Sequence, residues 1–235
     1  KTFGQHGVEL MGGYSWQHFD QKSNSQNSDS AGSPSKTTTN VDKGEYYLVS
    51  LFTRLNYTFK DKYLLTGSLR RDGTSRFGPD YRFGLFPAAA FAVKLIENNN
   101  FYLNSLKLRT SWGVTGQQDI GEDIGSYYAY LARYELGKTT AGYQFGNEFY
   151  QTIRPNAYVA NIKWEETSSY NAGLDFSIVK NRVSGSLDVY QKNTKDLLNN
   201  ISFAALSNLS NKAVRNIGKM NSKGIELSLN LTPVS

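Results

Sequence analysis

Residues 48–73, LVSLFTRLNYTFKDKYLLTGSLRRDG, alternate apolar and polar side chains on both sides of a tight turn, and no other feature limits the fold as strongly. One face collects Val49, Leu51, Leu55, Tyr57, Phe59, Tyr63, Leu65 and Leu69; the other collects Arg54, Asn56, Thr58, Thr66, Ser68 and Arg70. A period of two means strand, because successive Cβ atoms of a strand point to opposite faces. A water-soluble domain would bury the apolar set. An outer-membrane barrel would turn that set toward lipid and line its interior with the polar one.

The same alternation returns along the chain, in eight segments altogether. Besides the two strands of the hairpin they are 8–16, 82–95, 106–115, 170–178, 183–189 and 225–231, with Pro87 interrupting the regularity of the 82–95 segment. No helical period of comparable length is present. Lys60 to Lys62 reads as a short turn, Lys180 with Asn181 as a two-residue turn, and Ile96 to Ser105 as a moderate link. Phe59 then falls opposite Tyr63 and Ile178 opposite Val183, so both hairpins keep their apolar side chains on one face. The remaining links are long, and long and short ends segregate to opposite rims. Residues 17–44, with the polar tract QKSNSQNSDSAGSPSKTTTN, read as a mobile loop. Residues 117–164 carry Tyr127, Tyr128, Tyr130, Tyr134, Tyr143, Phe145, Phe149, Tyr150 and Tyr158, aromatic area enough for a folded loop that touches a ligand.

Composition narrows the alternatives. Aromatic residues make up 14% of the 235, yet mean hydropathy is −0.51, a pairing that suits sheets. There is no cysteine, hence no disulfide framework and no thiolate metal site. The net charge of +6 is scattered among acids, as in RRDG and NTKD, rather than gathered into a nucleic-acid-binding run. The longest uncharged apolar stretch, Gly84 to Val93, is half of the roughly 20 residues that a membrane helix needs, whereas a membrane strand needs only about 9 to 11. The polar faces hold mainly Ser, Thr, Asn and Gly. On the apolar faces, Phe59 and Tyr63 lie toward the short-turn rim, and Tyr14, Trp16 and Trp112 toward the long-loop rim. That distribution fits the two aromatic girdles of a membrane barrel and favours lipid on the outside.

Four segments, YLLTGSLRRDGTSRFGPDYRFGLFPAAAFAVKL (63–95), LKLRTSWGVTGQQDIG (106–121), IKWEETSSYNAGLDFSIVKNRVSGSLDVYQKNTKDLL (162–198) and NIGKMNSKGIELSLN (216–230), closely resemble the SusC/RagA family of TonB-linked outer-membrane transporters of Bacteroidetes. The likeness runs through most of 45–232. It implies an all-β, antiparallel barrel of about 22 strands around an N-terminal plug. This chain, with no plug and no TonB box, would be a late piece of that barrel, with 17–44 and 117–164 as long extracellular loops. The family implies nutrient uptake across the outer membrane of a Gram-negative cell, oligosaccharide or peptide cargo, a SusD-like lipoprotein lid, TonB engaged through the absent N-terminal region, and surrounding lipid and lipopolysaccharide. It implies no cofactor. Two other readings stay open: a self-contained eight-stranded barrel acting as adhesin or anchor, and a soluble carbohydrate-binding β-domain.

The most family-like residues are Arg71, Asp72, Gly73, Ser75, Arg76, Phe77 and Gly78, with Trp164, Glu165, Lys223 and Gly224 elsewhere. They read mainly as structural, with glycines relaxing a hairpin loop and Arg–Asp pairs tying it down. Arg71 leaves the lipid face just above the apolar band, within reach of a lipopolysaccharide phosphate. Tyr127, Tyr128, Tyr130, Tyr134 and Arg76 are the candidate cargo contacts, since a tyrosine offers a flat apolar face and a polar tip. Enzyme chemistry finds little support. His6 and His18 have no metal-binding spacing, adjacent Glu165 and Glu166 point to opposite faces of a strand, and no P-loop or nucleophile elbow occurs.

Overall fold

A computed structural model describes residues 1–28, 30–31, 38–98, 102–121, 127–137, 142–202, 204 and 212–232. β1 (Thr2–Phe3) and β2 (His6–Asn27) lead into β3 (Thr38–Phe59), β4 (Tyr63–Thr74), β5 (Phe83–Glu97) and β6 (Leu103–Gln117). Four short strands follow, β7 (Tyr134–Leu136), β8 (Gly142–Phe145), β9 (Glu148–Gln151) and β10 (Ile153–Pro155). The chain then continues through β11 (Glu165–Ile178), β12 (Val183–Lys195), β13 (Leu198–Ser202), β14 (Lys212–Asn216) and β15 (Lys219–Leu231). Nine strands form one sheet in the order β1-β2-β3-β4-β5-β6-β11-β12-β15, and β7/β10, β8/β9 and β13/β14 are separate two-stranded ladders. All eight alternating segments lie in the large sheet.

Register makes the two faces coherent. Val93, Leu108, Leu174, Leu187 and Leu227 are consecutive cross-strand partners, as are Tyr57, Leu65 and Phe91. A slip of one residue anywhere would move a strand's apolar set to the other face. The opposite face carries Glu9, Asn56 and Thr66, joined in a hydrogen-bonded chain, and the ion cluster of Arg109, Asp175 and Asp188. The apolar face is open: Leu65 is 48% exposed, Leu108 37% and Leu227 63%, so none of them lies in a dry protein centre. Pro87 is accommodated because the β5–β6 ladder stops at Ala88 with Gly113, one residue short of it.

Short connections gather at one rim. At Lys60 and Asp61, and again at Val179, Lys180 and Asn181, φ is positive, as tight hairpin turns require; the Lys62 N–H donates to the Phe59 carbonyl at 3.0 Å and the Arg182 N–H to the Val179 carbonyl at 3.1 Å. β5 runs on to Glu97, paired with Ser105, which makes the Ile96 to Ser105 link shorter than expected. The long connections meet at the other rim.

One expectation is corrected. Residues 17–44 are not one mobile loop: β2 and β3 each run 22 residues and stay paired up to Asn27 and Thr38. An existing ladder lowers the entropic cost of each added pair, and main-chain hydrogen bonds hold a strand whose faces are both polar. Residues 29 and 32–37 of that tract, and 122–126 and 138–141 of the aromatic link, lie outside the described residues. The alternative of a self-contained eight-stranded barrel is not formed among the described residues, where β15 and β1 are the two edges of an open sheet.

Candidate functional site

The long-loop rim is where the chain builds its buried core. Phe77 and Ile162 are fully buried, and Phe86, Ile120, Val159 and Trp164 complete the cluster. Complete burial of a side chain of this size is worth roughly 1.5–3 kcal/mol. The cluster is assembled from two connections and one strand: Phe77 from the β4–β5 link, Ile120, Val159, Ile162 and Trp164 from the β6–β11 link, and Phe86 from β5. Trp164 meets Phe77 and Phe86 edge-on, at 5.7 and 5.3 Å between centroids, and its indole N–H donates to the Arg82 carbonyl at 3.1 Å. Phe86 belongs to the polar face of β5, with Ala88 and Ala90. The long connections therefore fold over the polar face, as loops fold into the mouth of a barrel whose lumen is polar.

Arg76 ties this core to the β2–β3 hairpin. It is only 4% exposed, with its guanidinium carbon 3.9 Å from the centroid of Tyr46 and 4.6 Å from that of Tyr127. Its Nη1 donates to Asp119 Oδ1 at 3.0 Å, while its Nε has no hydrogen-bond partner among the described residues. Two ring faces and one carboxylate thus offset the desolvation of a buried cation. The Gly121 N–H donates to Asp119 at 3.1 Å and lowers its pKa from the usual 3.8; burial opposes this, and Arg76 adds to the lowering. Tyr127 is 4% exposed, packs edge-on against Tyr46 and donates its hydroxyl to Gln21. Arg76 and Tyr127, both expected as cargo contacts, are each 4% exposed and pack on each other.

The other expected residues fall into two groups. Tyr128 donates its hydroxyl to the Glu45 carbonyl at 3.2 Å, and Tyr130 packs on the rim core beside Gly78. Tyr134 stands apart on the β7/β10 ladder, 71% exposed; Tyr143, Phe145, Phe149 and Tyr150 of the β8/β9 hairpin are exposed as well. A Cβ at Gly78 would come within 3.1 Å of the Ala160 carbonyl, so this close approach favours glycine. Ser75 accepts the Tyr47 N–H at 2.9 Å, Asp72 accepts from Arg70 Nε at 2.6 Å, and Glu165 accepts the Leu198 N–H at 3.0 Å. Glu166 faces the other way and pairs with Lys195 at 2.9 Å. Arg71 lies 4.5 Å from the centroid of Phe83, whose ring covers Gly73 on the apolar face. Lys223 is exposed on β15, and Gly224 lies under the Tyr190 hydroxyl. His6 bonds Tyr57 and His18 bonds Glu45.

Three features escape sequence reasoning. Asn216 cross-links the rim, accepting from the Lys163 N–H at 2.9 Å and donating to the Lys163 and Asp196 carbonyls at 2.8 Å. Tyr46, one wall of the Arg76 site, carries no local motif. Arg109 holds Asp175 in a two-pronged pair at 2.7 and 2.8 Å and reaches Asp188 at 3.1 Å across three strands of the polar face. Only cross-strand register, Gly173 lying between Arg109 and Asp188, brings that cluster together.

Comparison with known proteins gives one consistent answer. The family described as TonB dependent receptor-like, beta-barrel matches residues 1–232. The chain is 43% identical over 191 residues to the TonB-dependent receptor SusC of Bacteroides thetaiotaomicron, a match covering 80% of this chain and 19% of that receptor. It is 36% identical over 205 residues to the TonB-dependent receptor P39 of Formosa agariphila, covering 84% and 18% respectively. Among solved structures, the RagAB peptide importer in its closed-closed state matches 100% of this chain and 26% of its own, with a TM-score of 0.81 at 25% identity.

Proposed function

Because this chain belongs to the TonB-dependent receptor-like β-barrel family, we propose that it forms wall and extracellular mouth of an outer-membrane importer driven through TonB, with an oligosaccharide or a peptide as cargo. One observation carries the reading: the long connections fold over the polar face while a register-matched apolar band faces away from them. In a membrane barrel the short turns are periplasmic and the long loops extracellular. Residues 1–235 are then part of the barrel domain, with 17–44 and 117–164 projecting outside the cell and lipid and lipopolysaccharide around the wall. The role needs no bond-making chemistry and no cofactor.

The rim core, Arg76 and the two buried or bonded tyrosines, Tyr127 and Tyr128, hold the mouth in shape. Tyr134 and the exposed rings of β8/β9 are left to meet a cargo or a SusD-like lipoprotein lid. That relatives include both SusC and a peptide importer supports a glycan or peptide cargo alike. The test is uptake by cells that carry or lack the full-length transporter, with labelled oligosaccharide and peptide pools. Uptake of one pool should vanish on deletion, vanish when the proton-motive force is collapsed, and return on complementation; Tyr134→Ala should weaken binding of that pool about threefold to tenfold. Uptake of both pools that is indifferent to deletion would refute the reading.

A further inference from the structure

On the outward, apolar face the described residues form a large depression. Its floor is made by small side chains on neighbouring strands, Ala89 on β5, Thr110 on β6 and Ala172 on β11, and its sides by Phe91, Trp112 and Tyr170 among others. The volume is ≈ 940 Å³, and the lining is mostly apolar. A hollow of this size has room for more than one acyl chain.

The register shows how the chemistry changes along the strands. The floor row runs Thr110, Ala172, Val189, Ile225. The next row toward the long-loop rim is Trp112, Tyr170, Gln191, Lys223; then Ser168, Asn193, Asn221; then Glu166, Lys195, Lys219. A second depression of ≈ 470 Å³ covers those upper rows and shares Tyr170 with the first. Glu166 neutralises Lys195 at 2.9 Å, whereas Lys219 and Lys223 have no carboxylate partner among the described residues. Apolar below, amide-rich and cationic above, the whole is an amphipathic trough with its charged end toward the rim of the long loops.

We infer that this trough is a binding site for a phosphorylated glycolipid of the outer leaflet, with acyl chains on Ala89, Thr110 and Ala172 and phosphate on Lys219 and Lys223. The inference rests on the membrane orientation proposed above. Two observations choose the occupant. The charged end lies on the extracellular side, where the outer leaflet supplies the lipid. The polar donors also span β11, β12 and β15, roughly 10 Å at about 4.8 Å per strand, wide enough for a phosphorylated disaccharide and wider than a single phosphodiester headgroup needs. Ammonium groups hold phosphate well as point charges. Gln191 and Asn221 each donate to Asn193 Oδ1, which leaves their second amide hydrogens, the Asn193 amide N–H and the Ser168 hydroxyl of β11 for sugar hydroxyls.

The full-length transporter, extracted in mild detergent, provides the test: lipid A and phospholipid retained per protein are measured by mass spectrometry. Lys219→Glu combined with Lys223→Glu should lower retained lipid A at least fivefold, and Ala172→Trp, which fills the floor, should lower it similarly; Lys219→Arg with Lys223→Arg should keep it. Phospholipid content should be unchanged, and each variant's heat-resistant migration on gels reports that its barrel is assembled. Cargo uptake by the same variants, measured in parallel, distinguishes failure of the lipid site from failure of the importer reading. Lipid A within twofold of the parent in both the charge-reversed and the filled variant, or a loss confined to phospholipid, would overturn the site.

Discussion

Arg76 shows how much of the mouth depends on single side chains. Planar stacking between Tyr46 and Tyr127 is open to a guanidinium and not to an ammonium, so Arg76→Lys keeps the charge and loses the sandwich. The expected cost is about 1–2 kcal/mol, read as a roughly tenfold faster proteolytic nicking of residues 118–164 with the barrel itself intact. Unchanged nicking would show that the stack bears no load. Asp119 gives the same tie a pH dependence. Its carboxyl titrates below the ordinary value in the folded loop, so its stabilisation is complete above pH 3.8 and is lost as pH falls through the lower folded value. Loop protection should be flat from about pH 7 to 5 and decline only below 3.8, and Asp119→Asn should abolish that decline. Arg76 and Asp119 both stand in recognisable wording, RRDGTSRFG and GQQDIG, yet their pairing is not legible there, because the two lie 43 residues apart and only the fold brings them together.

At the scale of strands, alternation carries most of the information. A period of two places a strand wherever one face differs from the other, and every such segment is in the sheet. The upper halves of β2 and β3 lack that contrast and so read as a loop, although pairing continues through them. Close packing of strands against the rim core is equally hidden. The ring of Phe86 lies over Gly84 and Gly116, and a Cβ at Gly116 would stand 2.1 Å from Phe86 Cζ. The ring cannot simply swing aside, because Trp164 packs on it at 5.3 Å. Gly116→Ala should therefore loosen the rim core by about 1–3 kcal/mol, and adding Phe86→Leu should recover part of the loss. Hydrogen exchange of the residues around Trp164 would register both effects, and additive losses would argue against contact between the two positions.

For the molecule as a whole, the proposed role turns on which face would meet hydrocarbon. Among the described residues no second sheet or helix packs on Leu65, Leu108, Leu174 and Leu227, and the loops close over the side of Ser68, Arg109, Asp175 and Ser228. The chain spans 19% of the SusC receptor and 26% of the RagAB chain, a share that corresponds to one sector of a barrel wall and not to its full circumference. The most direct measurement places nitroxide labels singly at positions 225 to 229 of the full-length transporter in a lipid bilayer and compares collision with oxygen and with a water-soluble nickel chelate. Oxygen should dominate at 225, 227 and 229 and nickel at 226 and 228, in strict alternation. The opposite phase, or equal access along the strand, would contradict a wall whose leucines face lipid.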